Sequence, residues 1–168
     1  LIVDKTMDQY DRVSSTKLQG LSAIMQRLDK KQLRCLVFFS SSTGRFGRKG
    51  QSDYAVSNEA LNKLAQFYRS TLPECRTVAV NWGPWDGGMV TPALKALFAS
   101  EGIGCIDLKG GAEYLINELA VRSSSEIVIL GSTPDSKAEQ IDRKFQTVRL
   151  SVNDMALKDH VINGKAVV

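Results

Sequence analysis

No apolar run in this sequence of 168 residues approaches the roughly 20 residues that a membrane-spanning helix requires, and no charged-then-apolar signal segment opens it. Histidine is nearly missing, with His160 as the single copy. The three cysteines, Cys35, Cys75 and Cys105, are odd in number and widely spaced, so they indicate neither a disulfide framework nor a zinc ribbon. Reduced thiols, a cytoplasmic location and no metal site are therefore expected. Also lacking is a strand leading through G-x-G-x-x-G into a helix, the βαβ element that holds a dinucleotide's pyrophosphate. Gly44, Gly47 and Gly50 do not replace it as a phosphate loop, because Gly50 is followed by Gln51 where a Walker loop needs lysine.

What the chain does contain is ordinary for one soluble globular domain: 43% hydrophobic and 24% charged residues. The net charge of +4 is small, and Arg45, Arg48 and Lys49 form a basic cluster. A basic rim attracts an acidic partner or a cofactor's phosphates. Nucleic acid is the competing partner, but no aromatic-interleaved basic strand or zinc-finger spacing supports it.

Residues 35 to 41 read CLVFFSS, a short apolar run rich in β-formers that turns polar at its end. This pattern predicts a buried parallel strand carrying Ser41 at its carboxyl end. A glycine-punctuated loop over residues 42 to 51 follows. Beyond it, Ala60, Leu61, Leu64, Phe67 and Tyr68 recur at helical intervals, which places Tyr54 and Asn58 on one face of a helix's first turns. Upstream, Leu18, Leu21, Ile24, Met25 and Leu28 form an apolar stripe on a preceding helix that also carries Lys17. Two helices flanking one strand can aim all four polar side chains at the strand's end.

The chemistry asks for these four types. Hydride reduction of a ketone leaves negative charge on oxygen, so the site needs donors aimed at that oxygen and one proton to give. Tyr54 would give it. A phenol ordinarily titrates near pH 10, and a cation within roughly 4 to 6 Å favours its charged form, the part assigned to Lys17. Ser41 would hold the carbonyl oxygen, and Asn58 would fix Lys17 or an ordered water through its amide. Taken singly, each of the four reads as an ordinary solvated or loop residue.

Together they match a family. The segment VFFSSSTGRFGRKGQSDYAVSNEALNKLA, residues 37 to 65, resembles the ketoreductase domains of polyketide and related fatty acid synthases, within the short-chain dehydrogenase superfamily. Ser41 stands thirteen residues before Tyr54, Asn58 four after it and Lys17 twenty-four before Ser41, which is that family's spacing. Free-standing members of the superfamily place lysine four after the tyrosine, where this chain has Asn58. The resemblance extends through LIVDKTMDQYDRVSSTK at the start and VNWGPWDGGMVTP at 80 to 92. It implies an α/β fold, the carboxyl-terminal half of a Rossmann-type doubly wound parallel sheet over residues 1–132, beginning in mid-domain with an open sheet edge.

Further expectations come with it. The resemblance implies NADPH as cofactor, bound by Lys17, Tyr54 and the turn containing Gly83, Pro84, Trp85, Gly88 and Met89. A lid helix would follow at about residues 91 to 100. The implied partners are an acyl carrier domain presenting a phosphopantetheine-bound β-ketoacyl substrate, neighbouring synthase domains and a second copy in a homodimer, with no nucleic acid and no membrane. A helix at about residues 110 to 121, with Ala112, Leu115, Ile116 and Leu119 on one side, and a last strand over 126 to 130 complete this part. Residues 133–148 read as a linker. Residues 149–168 resemble the start of a hotdog-type dehydratase domain, in which His160 of the motif His-x-x-x-Gly is the base for an α-proton; histidine's ordinary pKa of about 6.5 suits that task. The alternative is a catalytically silent ketoreductase remnant that braces neighbouring domains, and the isolated fragment is expected to be inactive.

Overall fold

A computed structural model of the protein describes residues 2–121 and 124–132, together with two short strands near the carboxyl terminus. The chain divides into two units, Leu1–Ser136 and Lys137–Val168.

The first unit is built on a three-stranded parallel sheet of β1 (Cys35–Ser41), β2 (Arg76–Trp82) and β3 (Glu126–Ile129), in that spatial order. Before β1 run α1 (Met7–Ser14), a five-residue π-helical turn (Ser15–Gln19) and α2 (Gly20–Arg27). Thr6 starts α1 with a reciprocal cap: its hydroxyl accepts from Gln9 N–H, and Gln9 Oε1 accepts from Thr6 N–H. After β1 come α3 (Ser42–Phe46) and the 20-residue α4 (Ser52–Thr71). Between β2 and β3 lie α5 (Pro92–Ser100) and α6 (Leu108–Ala120).

Alternation along the strands sorts the helices onto two faces. On one face Phe38 and Ala79 pack with Leu61 and Ala65 of α4 and with Leu18 and Leu21 from the helical segment before β1. On the other, Val78, Val80 and Trp82 pack with Ile106 and with Leu115 and Leu119 of α6. β2 is buried at all seven positions because it is the central strand, covered on both faces. This is a Rossmann-like layering, in agreement with the expected fold class.

Several expectations need correction. β1 has the expected ends but is only partly buried: it pairs with β2 alone among the described residues, and Phe39 stays 53% exposed. The loop expected over 42 to 51 contains α3. The Ser41 hydroxyl caps that helix by accepting from Thr43 N–H at 3.2 Å, and Gly47, at φ 72, closes it in the left-handed conformation that glycine tolerates. On α6 the inward face is Gly111, Leu115 and Leu119, spaced four apart, while Ala112 and Ile116 face solvent. In the upstream stripe, Leu21 and Met25, four apart, take the inward face of α2, while Ile24 is exposed off that face and Leu28 is exposed as the residue that ends the helix.

In the second unit, β4 (Val161–Ile162) pairs antiparallel with β5 (Lys165–Ala166). The linker over 133–148, most of the dehydratase-like segment and His160 lie outside the described residues. No helix among the described residues is long and apolar enough to cross a membrane.

Candidate active site

The carboxyl ends of β1 and β2 set the floor of the site. Parallel strands end there in loops and helix starts, and ligands of open α/β sheets bind outside that edge. Ser41, the last residue of β1, is buried and pairs in register with Trp82, the last residue of β2. Tyr54 and Asn58 occupy successive turns at the start of α4. Lys17 stands on the π turn, a local widening of the helix that recurs at functional sites.

Two of the four predicted residues meet directly. The Lys17 ammonium lies over the Tyr54 ring, 5.6 Å from its centroid, and donates to Phe39 O at 3.3 Å. That carbonyl belongs to β1, two residues before Ser41, so one ammonium bridges the phenol and the strand that carries the serine. Burial pushes the Lys17 pKa down from the ordinary lysine value. Tyr54 keeps 36% of its surface open to solvent and so remains reachable by a ligand.

Asn58 is wholly buried, and its Nδ2 donates to Tyr54 O at 2.7 Å. Its Oδ1 has no hydrogen-bond partner among the described residues. A buried oxygen left this way costs about 1–3 kcal/mol, which is unusual enough to require a reason. An amide oxygen waiting for a donor beside the tyrosine fits a bound water or ligand hydroxyl.

Beneath these residues runs a polar network that the sequence reading missed. Ser40 Oγ donates to Asn58 O at 3.0 Å and lies 3.1 Å from Asn81 Oδ1. Asn81 Oδ1 also accepts from Asn62 Nδ2 at 2.9 Å, while Asn81 Nδ2 donates to Ile127 O at 3.2 Å and Glu126 Oε1 at 3.3 Å. One buried amide thus ties β1, α4 and β3 to β2. A signal existed: Asn58 and Asn62 are four apart, on the same face of α4 as Leu61 and Ala65.

The predicted cofactor turn leaves the end of β2. Gly83 N–H donates to Ile129 O at 2.8 Å, and Pro84 O accepts from Ile106 N–H at 2.8 Å, so the turn starts rigidly. The Trp85 ring lies 4.6 Å from that of Trp82, and a Cβ on Gly111 would approach it to 2.5 Å, so Trp85 faces the core. Gly88 has φ 63 with open space around it, and Met89 is 94% exposed. Gly88 and Met89 are thus free to meet a ligand, while Gly83, Pro84 and Trp85 brace the turn from below. The helix expected after it is α5, capped by the Thr91 hydroxyl.

Nearby, Ser42, Thr43, Phe46, Arg48, Pro84 and Ile103 line a cavity of ≈ 260 Å³. The basic rim is more occupied than expected. Arg48 pairs with Glu101 at 2.7 Å and lies over the Phe98 ring at 5.2 Å, and Arg45 reaches Glu126 at 3.9 Å, whereas Lys49 is exposed. No cluster of metal-ligating side chains occurs among the described residues.

Comparison with known proteins then decides the family. Residues 1–87 match the model of the KR domain, a span of just over half the chain. The chain belongs to the KR domain family. One large component of the polyunsaturated fatty acid synthase from Thraustochytrium is 36% identical over 99% of this chain, which spans 6% of that protein. A Bacillus subtilis polyketide synthase is 30% identical over 77% of the chain, and the chain spans 3% of it. Among solved structures, a ketoreductase from the first module of phoslactomycin biosynthesis in Streptomyces has a TM-score of 0.71 at 26% identity, covering 79% of this chain and 30% of the other. The first ketoreductase of the tylosin synthase gives a TM-score of 0.67 at 27% identity, over 76% of this chain and 28% of the other. A dehydrogenase solved with NADH and succinate shares the fold at 18% identity and a TM-score of 0.62, covering 78% of this chain and 61% of its own. As part of the KR family, the chain is of the ketoreductase kind found in polyketide and polyunsaturated fatty acid synthases.

Proposed function

We propose that this KR domain reduces a carrier-bound β-ketoacyl thioester to the β-hydroxyacyl form with NADPH, as one station of a multidomain, cytoplasmic polyketide or fatty acid synthase. The observation that carries the reading is the Lys17 ammonium stacked on the Tyr54 ring at the end of β1.

The residues fit a nicotinamide cofactor on the grounds of this structure: the phenol is partly exposed, the glycine turn at Gly88 is open, and the buried Asn58 oxygen is unpartnered, all on segments that follow the carboxyl ends of β1 and β2, where such a ligand binds. Lys17, Tyr54, Gly88 and Met89 would hold it, on a platform braced by Gly83, Pro84 and Trp85. Bound there, NADPH would supply the hydride. Tyr54 holds a proton at Oη and gives it to the oxygen of the reduced carbonyl. Lys17 places a positive charge beside that phenol, where it offsets the negative charge that develops in the transition state. Ser41, with an uncharged hydroxyl fixed at a helix cap, orients the carbonyl oxygen. Asn58 accepts from an ordered water that restores the proton. The acyl group occupies the cavity beside Phe46, the acyl carrier domain docks near exposed Lys49, and the synthase is a homodimer.

The test is steady-state ketoreduction of a β-ketoacyl thioester by the synthase that carries this chain. Tyr54→Phe should reduce kcat by about 10²-fold or more, the contribution usual for a positioned general acid. Near-normal turnover would exclude the phenol as proton donor. The competing reading, a silent brace, draws on the lack of a G-x-G-x-x-G turn in this sequence. Titrating NADPH against the synthase and following nicotinamide fluorescence separates the two, since a brace gives no saturable signal. We further propose that residues 149–168 open a hotdog dehydratase after a linker at 133–148, with His160 as its base.

A further inference from the structure

Outside the four site residues, one ion pair among the described residues has an almost completely buried carboxylate and partners 48 residues apart. Lys5 Nζ donates to Asp53 Oδ2 at 2.7 Å, and the two side chains are 27% and 5% exposed. An acidic residue in the first turn of a helix is commonplace when solvated, where it only complements the helix dipole. Asp53 is not solvated. Its other oxygen accepts from the backbone N–H of Tyr54 at 2.9 Å, and its carbonyl accepts from the buried Ser57 hydroxyl at 2.8 Å. The lysine hydrogen bond is the main reason its carboxyl titrates below the usual range for aspartate.

The placement of the two ions is informative. Lys5 immediately precedes Thr6, which caps α1 with a reciprocal pair of hydrogen bonds, so it is fixed to that helix start. From there, α1 runs straight into the π turn that carries Lys17. Asp53 is the neighbour of Tyr54. Each member of the ion pair is thus in continuity with one member of the Lys17 and Tyr54 contact, and the ion pair ties the two helical elements together in addition to that contact and to the apolar packing of Leu18 and Leu21. Desolvation makes a buried ion pair a weak source of stability, and its best-attested service is to fix registry.

We propose that Lys5 and Asp53 form an ionic clasp that sets the separation of the Lys17 turn from Tyr54, making both of them positioning residues of the reductase site. The clasp touches neither substrate nor cofactor, and it rests on the functional reading above.

The experiment compares Lys5→Met, Asp53→Asn, Lys5→Arg, the double variant Lys5→Met with Asp53→Asn, and Tyr54→Phe, all in the synthase that carries this chain. Each is assayed for kcat and KM with a β-ketoacyl thioester. Lys5→Met and Asp53→Asn should lower kcat about 10-fold to 100-fold with KM nearly constant, the range expected when a reacting group is displaced by up to about 1 Å. Lys5→Arg, which keeps the charge and the donor, should recover most of the loss. The double variant should be no worse than either single one, as for groups acting as one unit. Because it leaves no unpaired buried charge, it also decides the case in which a single variant fails to fold. A folded double variant with wild-type kcat would overturn the clasp. So would wild-type kcat in both single variants while Tyr54→Phe is inactive, which leaves the reductase reading intact. Full ketoreduction by Tyr54→Phe would instead remove that reading and the clasp with it.

Discussion

Gly44→Ala isolates how closely the two halves of the site are packed. Gly44 lies midway along α3, where an added Cβ would stand 2.8 Å from Asn58 Cβ, 3.0 Å from Glu59 N and 3.1 Å from Asn58 C. Carbon atoms in contact settle at about 3.5–4.0 Å, so α3 and α4 must part by roughly 0.7 Å or more. None of the three obstacles is the end of a flexible side chain, so no rotamer change relieves the clash. Two stability effects oppose each other. Alanine is favoured over glycine in a helix by about 0.5–1 kcal/mol, and overpacking costs about 1–3 kcal/mol. The net loss is therefore about 0–2.5 kcal/mol, within what a folded domain tolerates. Activity should suffer more. The Ser41 hydroxyl caps α3 while Tyr54 and Asn58 ride on α4, so the separation moves Ser41 away from Tyr54, the pair to which the proposed mechanism gives the carbonyl and the proton. Since 1 Å of misplacement costs up to about 10²-fold, a shift of roughly 0.7 Å should lower kcat about 10-fold or more. Steady-state ketoreduction by the synthase gives the rate, and far-UV circular dichroism on heating reports the fold. Gly20→Ala is the control, because a Cβ there meets nothing within 4 Å and should change neither rate nor structure adversely. A Gly44→Ala protein with wild-type turnover would refute the packing argument.

Lys17→Met should abolish ketoreduction yet leave the fold as stable as wild type or more so. The folded lysine's pKa lies below its ordinary value of about 10.4, so the unfolded chain holds the proton more firmly. Wild-type stability should accordingly rise as pH climbs through the window just below that value, and the rise should vanish in Lys17→Met; chemical denaturation across alkaline pH checks both. His160→Ala, in the second unit, should leave ketoreduction unaffected while the synthase accumulates β-hydroxyacyl product that wild type would dehydrate, read by mass spectrometry of carrier-bound intermediates. An unaltered product pattern would remove the dehydratase assignment.

Apolar periodicity located most elements because burial of one face imposes a repeat on the sequence. The ends of β1 follow from CLVFFSS, β3 lies close to the expected 126 to 130, and α4 and α6 lie where helical spacing puts them. The family's spacing supplied Lys17, Ser41, Tyr54 and Asn58. α3 was missed because Gly44 and Gly47 read as loop punctuation, although Ser41 as N-cap and Gly47 beyond the last turn are themselves helix signals. The π turn at Lys17 and the clasp between Lys5 and Asp53 left no such trace. The ion pair joins residues 48 apart, a separation that follows no period.

The polar groups buried near the site divide into two kinds, and the division follows the chemistry. Asn81 has its amide oxygen and nitrogen both satisfied, across β1, α4 and β3, and it serves as a fixed frame. Asn58 Oδ1, by contrast, has no donor among the described residues, and Lys17 bears a charge that burial disfavours. A fold under selection for stability alone would relieve both, since a buried oxygen without a partner and a half-buried ammonium each weaken it. Asn62 Oδ1 and Trp82 Nε1 also lack partners among the described residues, so Asn58 is set apart by its amide bond to the Tyr54 carbonyl, one turn from the phenol and above a framework whose central amide is fully paired. Under the proposed mechanism, Asn58 Oδ1 is where an ordered water would be held for proton transfer.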